Sequence, residues 1–463
     1  MRAPRTDSGV RTKNMLKARN LRLALAISAG LTAALPAAAK AEETPYVPGQ
    51  LIVRYAPDAS AQDRTAAASP VATSSSATTG GRARVLHLRR GTSVAEAIRS
   101  LRHRRGVVYA APNFVARISS TGGYIPNDRG RGSGGWERFQ WNFIGHYGVG
   151  APDAWARARA AGYPGAKGVR IAVIDTGVAY RDWRGYRRSP DFARTRFSSP
   201  ADFVSHNRFP LDREGHGTHV AGTIAEQTNN RYAVTGLAYE STIIPIRVLD
   251  STGSGDAAAI ARGIRYAVAK RAKIINLSFE FGSDVTESDI PDVVNALGYA
   301  RSRGVLVVAA AGNEYSHTVV YPARSSSVLS VGATTSHGCL ADYSNYGRRL
   351  DLVAPGGGND ADLAGDSHCA PFGPLGRPIY QMTFRDKTFR HFGLPSDYVG
   401  TSMASPHVAG TAALVIASGV LGRNPSPDAL RAQLMRTARD LGEPGTDSLY
   451  GAGLVSASAA TAR

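Results

Sequence analysis

Three short stretches set a reactive side chain among small residues: "AVIDTGV" carries Asp175, "EGHGTHVAGTIA" carries His216 and "GTSMASPHVAG" carries Ser402. A serine hydroxyl is a weak nucleophile at neutral pH and needs a base within hydrogen-bond reach. Imidazole suits that task because it titrates near the working pH. A buried carboxylate can hold the ring in one tautomer and stabilise the cation that forms. The order Asp, His, Ser along a chain is one of several arrangements that meet this need. Taken singly, each stretch has a plainer reading. Asp-Thr-Gly after a strand is a turn former. His216 and His219 stand three apart in a helical context, as two metal ligands would, although no third ligand follows at zinc-like spacing. Ser402 has the makings of a helix N-cap, with Pro406 expected in the first turn. That role is compatible with nucleophilic attack, since a helix start favours negative charge developing nearby.

The elements that must position these residues are legible as apolar runs. "VRIAVID", "TIIPIRVL", "KIINLS", "GVLVVAAAG" and "VLSVGATT" read as strands, separated by helical patterns such as "DAAAIARGIRYAVAKR" with Ile260, Ile264 and Val268 on one face. Continuously apolar strands alternating with helices predict an α/β fold, a parallel sheet covered on both sides. Reactive groups in such sheets gather at the carboxyl ends of strands, which puts Asp175 and Asn313 on one rim. Upstream lies a smaller α/β module. "YVPGQLIVRYAP", "RVLHLRR" and "VVYAAPNFVARI" read as strands. "TSVAEAIRSLRHRRG" reads as an amphipathic helix with Val94, Ile98 and Leu101 inward and a Ser93/Glu96 capping box. The Ala/Ser/Thr-rich stretch Thr65 to Gly81 is expected to be a flexible loop, and "NDRGRGSGG" a linker.

The chain's 463 residues suffice for two domains, and 43% hydrophobic with 8% aromatic residues is a globular composition. The net charge of +19 is unevenly spread: residues 1–118 hold 19 Lys/Arg and 6 Asp/Glu, leaving 36 and 30 for the remainder. No basic run with interleaved aromatics forms a phosphate-tracking groove, so nucleic-acid binding is not expected. The N-terminus has the order of a secretory signal, with basic "RTKNMLKARNLR", apolar "LALAISAGLTAALP" and small "AAAKA". Residues 1–41 are therefore read as a signal peptide cut after Ala39 or Ala41, and export without a membrane anchor is expected. The two cysteines, Cys339 and Cys369, would more often bridge than stay free in an exported chain; two buried thiols are the alternative.

From about Asn127 to the C-terminus, "DTGV", "HGTHVAGTIA" and "GTSMASPHVAG" together resemble the catalytic blocks of the subtilisin-like serine proteases. The resemblance implies that Asp175 orients, His216 is general base and acid, and Ser402 attacks, with His219 and His407 structural. Asn313 in "VVAAAGNE" matches the family's side-chain donor to the oxyanion. Gly253, Ser254 and Gly255 resemble a segment whose exposed backbone pairs with an extended substrate. Ser278 belongs to the segment lining the pocket for the residue before the scissile bond. Phe279, Glu280 and Phe281 there replace small residues, which leaves open whether Glu280 narrows or charges that pocket.

The small module, residues 42–118, resembles an inhibitory propeptide of ferredoxin-like fold, an intramolecular inhibitor and folding aid. Residues 119–140 would then be a linker, 141–463 the catalytic domain, and self-cleavage would fall between about Ala116 and Asn127. A structural calcium is implied at Asp128, Asp191 and Asn230, with carbonyls of Tyr232 and Val234, oxygen ligands suited to a hard cation. The expected product is a monomeric secreted endopeptidase acting on proteins or peptides. Two other readings are a secreted esterase or lipase using the same triad and a catalytically silent binding protein. "GTSMA" lacks the second glycine of the esterase elbow, and the intact triad speaks against silence.

Overall fold

The computed structural model describes residues 46–77, 83–114, 123–131, 135–363, 366, 368–386 and 388–462. The signal segment lies outside these residues, as does the whole stretch 115–122, which holds most of the window expected for self-cleavage. The chain divides into two compact units, Met1–Ile118 and Ser119–Arg463.

In the first unit the order is β1 (Tyr46–Tyr55), α1 (Ala61–Ala68), β2 (Ala72–Ala77), β3 (Ala83–Leu88), α2 (Val94–Arg102) and β4 (Val107–Phe114). The four strands form an antiparallel sheet in the order β2-β3-β1-β4, the ferredoxin-like arrangement. Ser93 and Glu96 make the expected capping box at the start of α2, and Val94, Ile98 and Leu101 are buried. The stretch read as a flexible loop is not one over its described part. Ser60 caps α1, and Ala67, Val71 and Ala72 are buried with Leu51 and Leu86. Small residues with no period of their own are recruited here by packing, which overrides weak local preference.

The second unit contains α3 (Ala151–Ala160), β5 (Arg170–Asp175), short β6 (Arg196–Phe197) and β7 (Ala201–Asp202), and α4 (His216–Ala225). There follow β8 (Thr242–Arg247), α5 (Ala257–Ala269), β9 (Ile274–Leu277), α6 (Pro291–Ser302), β10 (Leu306–Ala310), β11 (Val328–Thr334) and β12 (Leu352–Pro355). A hairpin, β13 (Thr383–Arg385) with β14 (Thr388–Gly393), precedes α7 (Thr401–Ser418), α8 (Pro427–Arg436) and α9 (Ala457–Ala460). The main sheet runs β12-β11-β10-β9-β5-β8-β6 with parallel pairing throughout. Alternate residues of β5 point to opposite faces. Ile171 and Val173 join the core under α3, α4 and α7, while Ala172 and Ile174 join the core under α5 and α6. Both faces are thus apolar and covered, which accounts for the unbroken apolar runs. Within residues 119–140, the stretch read as a linker, Asp128 is buried and Trp136 is fully buried in this unit's core. Among the described residues no helix is long and apolar enough to cross a membrane. Cys339 and Cys369 form a disulfide.

Candidate active site

Asp175 is the last residue of β5, and its side chain is fully buried. His216 opens α4, and its Nδ1 lies 2.8 Å from Asp175 Oδ1, which also accepts the Thr176 N–H at 2.7 Å. The close approach of the two elements needs Gly217: a Cβ there would sit 2.2 Å from the Gly177 carbonyl and 3.0 Å from Asp175 Oδ1. Burial disfavours a charged His216 ring, yet Asp175, Glu214 and Asp212 outweigh it and push its pKa up to about 9. A carboxylate pair of this kind holds the proton on Nδ1, leaves Nε2 as the base and favours the cation formed after proton transfer.

Two acidic residues that the sequence did not single out hold this side of the site. Asp212 is buried and accepts from Thr176 Oγ1, from the N–H groups of Glu214, Gly215 and Thr218, and from Thr218 Oγ1. Glu214 reaches forward to accept the His216 N–H at 2.6 Å, a negative charge at the start of α4 where the helix dipole favours one. Its acidic type within "DREGHG" was the available signal.

Ser402 is the second residue of α7. Gly400 occupies the cap position instead, at φ +149°, so the N-cap reading of Ser402 does not hold. Its hydroxyl donates to the Ser278 carbonyl at 3.1 Å rather than to the imidazole. Pro406 lies beyond the first turn, inside the helix, and this has a consequence. Lacking an N–H, it leaves the Ser402 carbonyl without its helical partner. Ser278 Oγ fills that gap, donating to the carbonyl at 2.8 Å. Behind it, Asn276 Nδ2 donates to Ser278 Oγ at 2.9 Å, and Ser405 Oγ donates to Asn276 Oδ1 at 2.8 Å. This buried chain fixes the turn that carries Ser402, and the motifs did not reveal the part that Asn276 and Ser405 play in it.

Asn313 follows β10 on the same rim as Asp175. Its Oδ1 accepts from the Thr401 N–H at 2.9 Å and from Thr401 Oγ1 at 3.0 Å, which turns the amide nitrogen outward. Gly312 before it cannot carry a side chain, since a Cβ would fall 2.1 Å from Asn345 Nδ2. The sheet thus brings Asn313 and Ser402 together through Thr401, while Ser278 is bonded directly to Ser402. Phe279 and Phe281 pack against the core, and Glu280 Oε2 accepts from Asn313 Nδ2 at 3.4 Å. Gly253, Ser254 and Gly255 lie exposed after β8 in a turn tied by Asp250. No hydrogen bond joins them to Asp175, His216 or Ser402 among the described residues.

His219 and His407 are buried and held neutral. Burial pushes the His219 pKa down to about 3 and that of His407 down to about 4. His219 Nε2 donates to the Ile379 carbonyl, its ring stacked on Tyr398. His407 Nδ1 donates to the Met403 carbonyl while its Nε2 accepts from Asn142 Nδ2. The segment before α7 also holds α4 through Thr383 Oγ1 on the Gly215 carbonyl and Met382 N–H on Glu226 Oε1.

The residues proposed for an ion are joined by hydrogen bonds. Asp128 accepts the N–H groups of Asn229 and Asn230, Asn230 Nδ2 donates to Asp191 Oδ1 at 2.7 Å, and the Val234 N–H donates to Asp191 Oδ2. Tyr232 donates its N–H to Asn230 Oδ1. Burial raises the pKa of both carboxyls, and the charge on Asp128 adds to the rise at Asp191. Among the described residues no Lys or Arg pairs with either. Nor does any group of three or more His, Cys, Asp or Glu converge to hold a metal.

Comparison with known proteins matches residues 166–453 to the Subtilase family and residues 32–113 to the fervidolysin N-terminal prodomain. The chain is 32% identical over 410 residues to the thermophilic serine proteinase of Bacillus sp. strain AK1, covering 89% of this chain and 87% of that one. It is 38% identical over 296 residues to subtilisin Savinase of Lederbergia lenta, covering 64% of this chain and 91% of that one. Among solved structures, a protease from Pseudoalteromonas arctica PAMC 21717 superposes with a TM-score of 0.57 at 29% identity, covering 73% of this chain and 99% of that one.

Proposed function

The chain belongs to the subtilase family of serine proteases and carries a prodomain, and from that premise we propose how its own residues perform peptide hydrolysis. The observation that supports the assignment best is the buried Asp175 carboxylate 2.8 Å from His216 Nδ1. Ser402 Oγ turns from the Ser278 carbonyl toward His216 Nε2 and bonds to the substrate carbonyl carbon as its proton passes to Nε2. The carbonyl oxygen becomes an oxyanion facing Asn313 Nδ2 and the Ser402 N–H at the start of α7. The carbon–nitrogen bond then breaks as the imidazolium gives its proton to the leaving amine. Water repeats the sequence on the acyl-enzyme, losing a proton to His216 and releasing the acid while Ser402 regains its own. Substrates are protein or peptide chains that lie extended beside Gly253–Gly255.

The precursor is proposed to be exported on residues 1–41, with residues 42–118 acting as inhibitor and folding aid until self-cleavage. A structural calcium is proposed at Asp128, Asp191, Asn230 and the carbonyls of Tyr232 and Val234. Two buried carboxylates with no basic partner fit a hard cation, because such charges are costly to bury unpaired. Bound there, a calcium ion would supply rigidity near α4, and no step of the reaction is routed through it. A fluorophosphonate probe tests the nucleophile: mature wild type is labelled at Ser402, and casein is digested far faster than short-chain esters are turned over. Labelling elsewhere, or ester turnover without casein digestion, would contradict this reading.

A further inference from the structure

Asn313 Nδ2, the side-chain donor to the oxyanion, is engaged by Glu280 Oε2 at 3.4 Å. Glu280 lies two residues after Ser278, whose carbonyl accepts the Ser402 hydroxyl. Its neighbours Phe279 and Phe281 are turned into the core, and the Phe281 N–H is tied to the Tyr321 carbonyl at 2.8 Å. A second carboxylate stands with it. Glu314, next to Asn313, has its Oε2 fixed by Asn345 Nδ2 at 2.6 Å, and Asn345 is fully buried and also accepts the Glu314 N–H. No Lys or Arg forms an ion pair with Glu280 or Glu314 among the described residues. Burial, and after it the charge on Glu314, pushes the Glu280 pKa up to about 7.

The geometry of the reaction says what would meet these groups. When a substrate carbonyl oxygen faces Asn313, the Cα one bond away from the carbonyl carbon sends its side chain out beside the same amide. A lysine or arginine there would bring a cation to two carboxylates that have none, and a guanidinium can bond to both oxygens of a carboxylate. It would also draw Glu280 off Asn313 Nδ2, freeing that donor for the oxyanion. An apolar side chain would instead bury against the Glu280–Glu314 pair, which is hydrogen-bonded to itself but has no cation beside it.

Resting on the protease reading above, we propose that Glu280, backed by Glu314, selects substrates with Lys or Arg immediately before the cleaved bond. The chain's own sequence offers one such place. Arg117 is the single Lys or Arg between Ala116 and Asn127. The same selectivity would put the first self-cut at the bond after Arg117.

The test compares peptides differing only in the residue before the cut, namely Arg, its neutral isostere citrulline, and Leu, with mature wild type, Glu280→Gln and Glu314→Gln. Wild type is expected to favour Arg over citrulline in kcat/KM on the order of a hundredfold. Glu280→Gln should lose most of that preference and cut the Leu peptide faster than wild type, with Glu314→Gln intermediate. Fluorophosphonate labelling of each variant confirms that it has folded with a reactive serine. An Arg-to-citrulline ratio near one in wild type, or a ratio that both variants leave unchanged, would overturn the selectivity. Mass spectrometry of the released N-terminal fragment should find Arg117 at its end; another terminus, with Arg117→Ala processed at the wild-type rate, would overturn the assigned cut. Wild type that is labelled yet indifferent to charge defeats this inference alone. Wild type that is neither labelled nor active on any peptide defeats the protease reading with it.

Discussion

The two sides of Ser402 are built on different terms. On the base side, Asp175 is fully buried, and Asp212 and Glu214 add hydrogen bonds that hold the turn before His216. On the oxyanion side, Asn313 is exposed, its amide nitrogen meets Glu280 at a long 3.4 Å, and a second carboxylate stands nearby. One side is closed and locked by short bonds, the other open and charged. The contrast separates two proposed roles: proton transfer belongs to the locked side, whereas oxyanion stabilisation and the choice of substrate belong to the open one.

Substitutions on each side sharpen that division. Asp175→Asn on the locked side should have the largest effect, lowering kcat on the order of ten-thousandfold because the amide favours the wrong imidazole tautomer. A loss below tenfold would break the comparison. Asn313→Ala on the open side should lower kcat by about 100- to 1,000-fold, with KM moving little, as expected of a group that acts on developing charge. A change confined to KM would make it a ground-state contact.

The next effect is a shift in pH. Because the His216 pKa is raised, the ring is protonated below about 9 and the neutral base is lost as pH falls through that value. The acid limb of kcat/KM should therefore lie above the ordinary histidine value of 6.5. Glu214→Gln removes one charge that raises the pKa, so the limb should move to lower pH. A limb that stays in place would show that Glu214 only caps α4. The smallest effect on turnover is expected for the proposed calcium. A chelator should lower the wild-type Tm by roughly 5–10 °C, with little loss of kcat at 25 °C, and Asp191→Asn should abolish most of that response. Equal responses in both would place the ion elsewhere or remove it.

The locked side could be read from the sequence because its chemistry and its geometry share the same short stretches. Asp175 ends an apolar strand, and the glycines around His216 mark the close approach that Gly217 then makes. The open side could be read only in part. Glu280 stood out against its neighbours, but its meeting with Asn313 depends on two loops brought together by the sheet. The same holds for the chain from Ser405 through Asn276 and Ser278 to the Ser402 carbonyl, where a proline's missing N–H becomes visible only once the helix is in place. Elsewhere, Thr65 to Gly81 misled because alanines and serines carry no period, and α1 with β2 is set by burial of Ala67 and Val71. The segment from 356 to 398 had no legible pattern, although Thr383, Met382 and Tyr398 hold the helix that bears His216.

The most direct trial of Ser402 as the attacking alcohol is the fate of the full-length chain in a protease-free host, compared by mass with its Ser402→Ala counterpart. The account predicts that wild type sheds its N-terminal unit whereas the variant keeps it. Loss of that unit from both chains at the same rate would contradict the account.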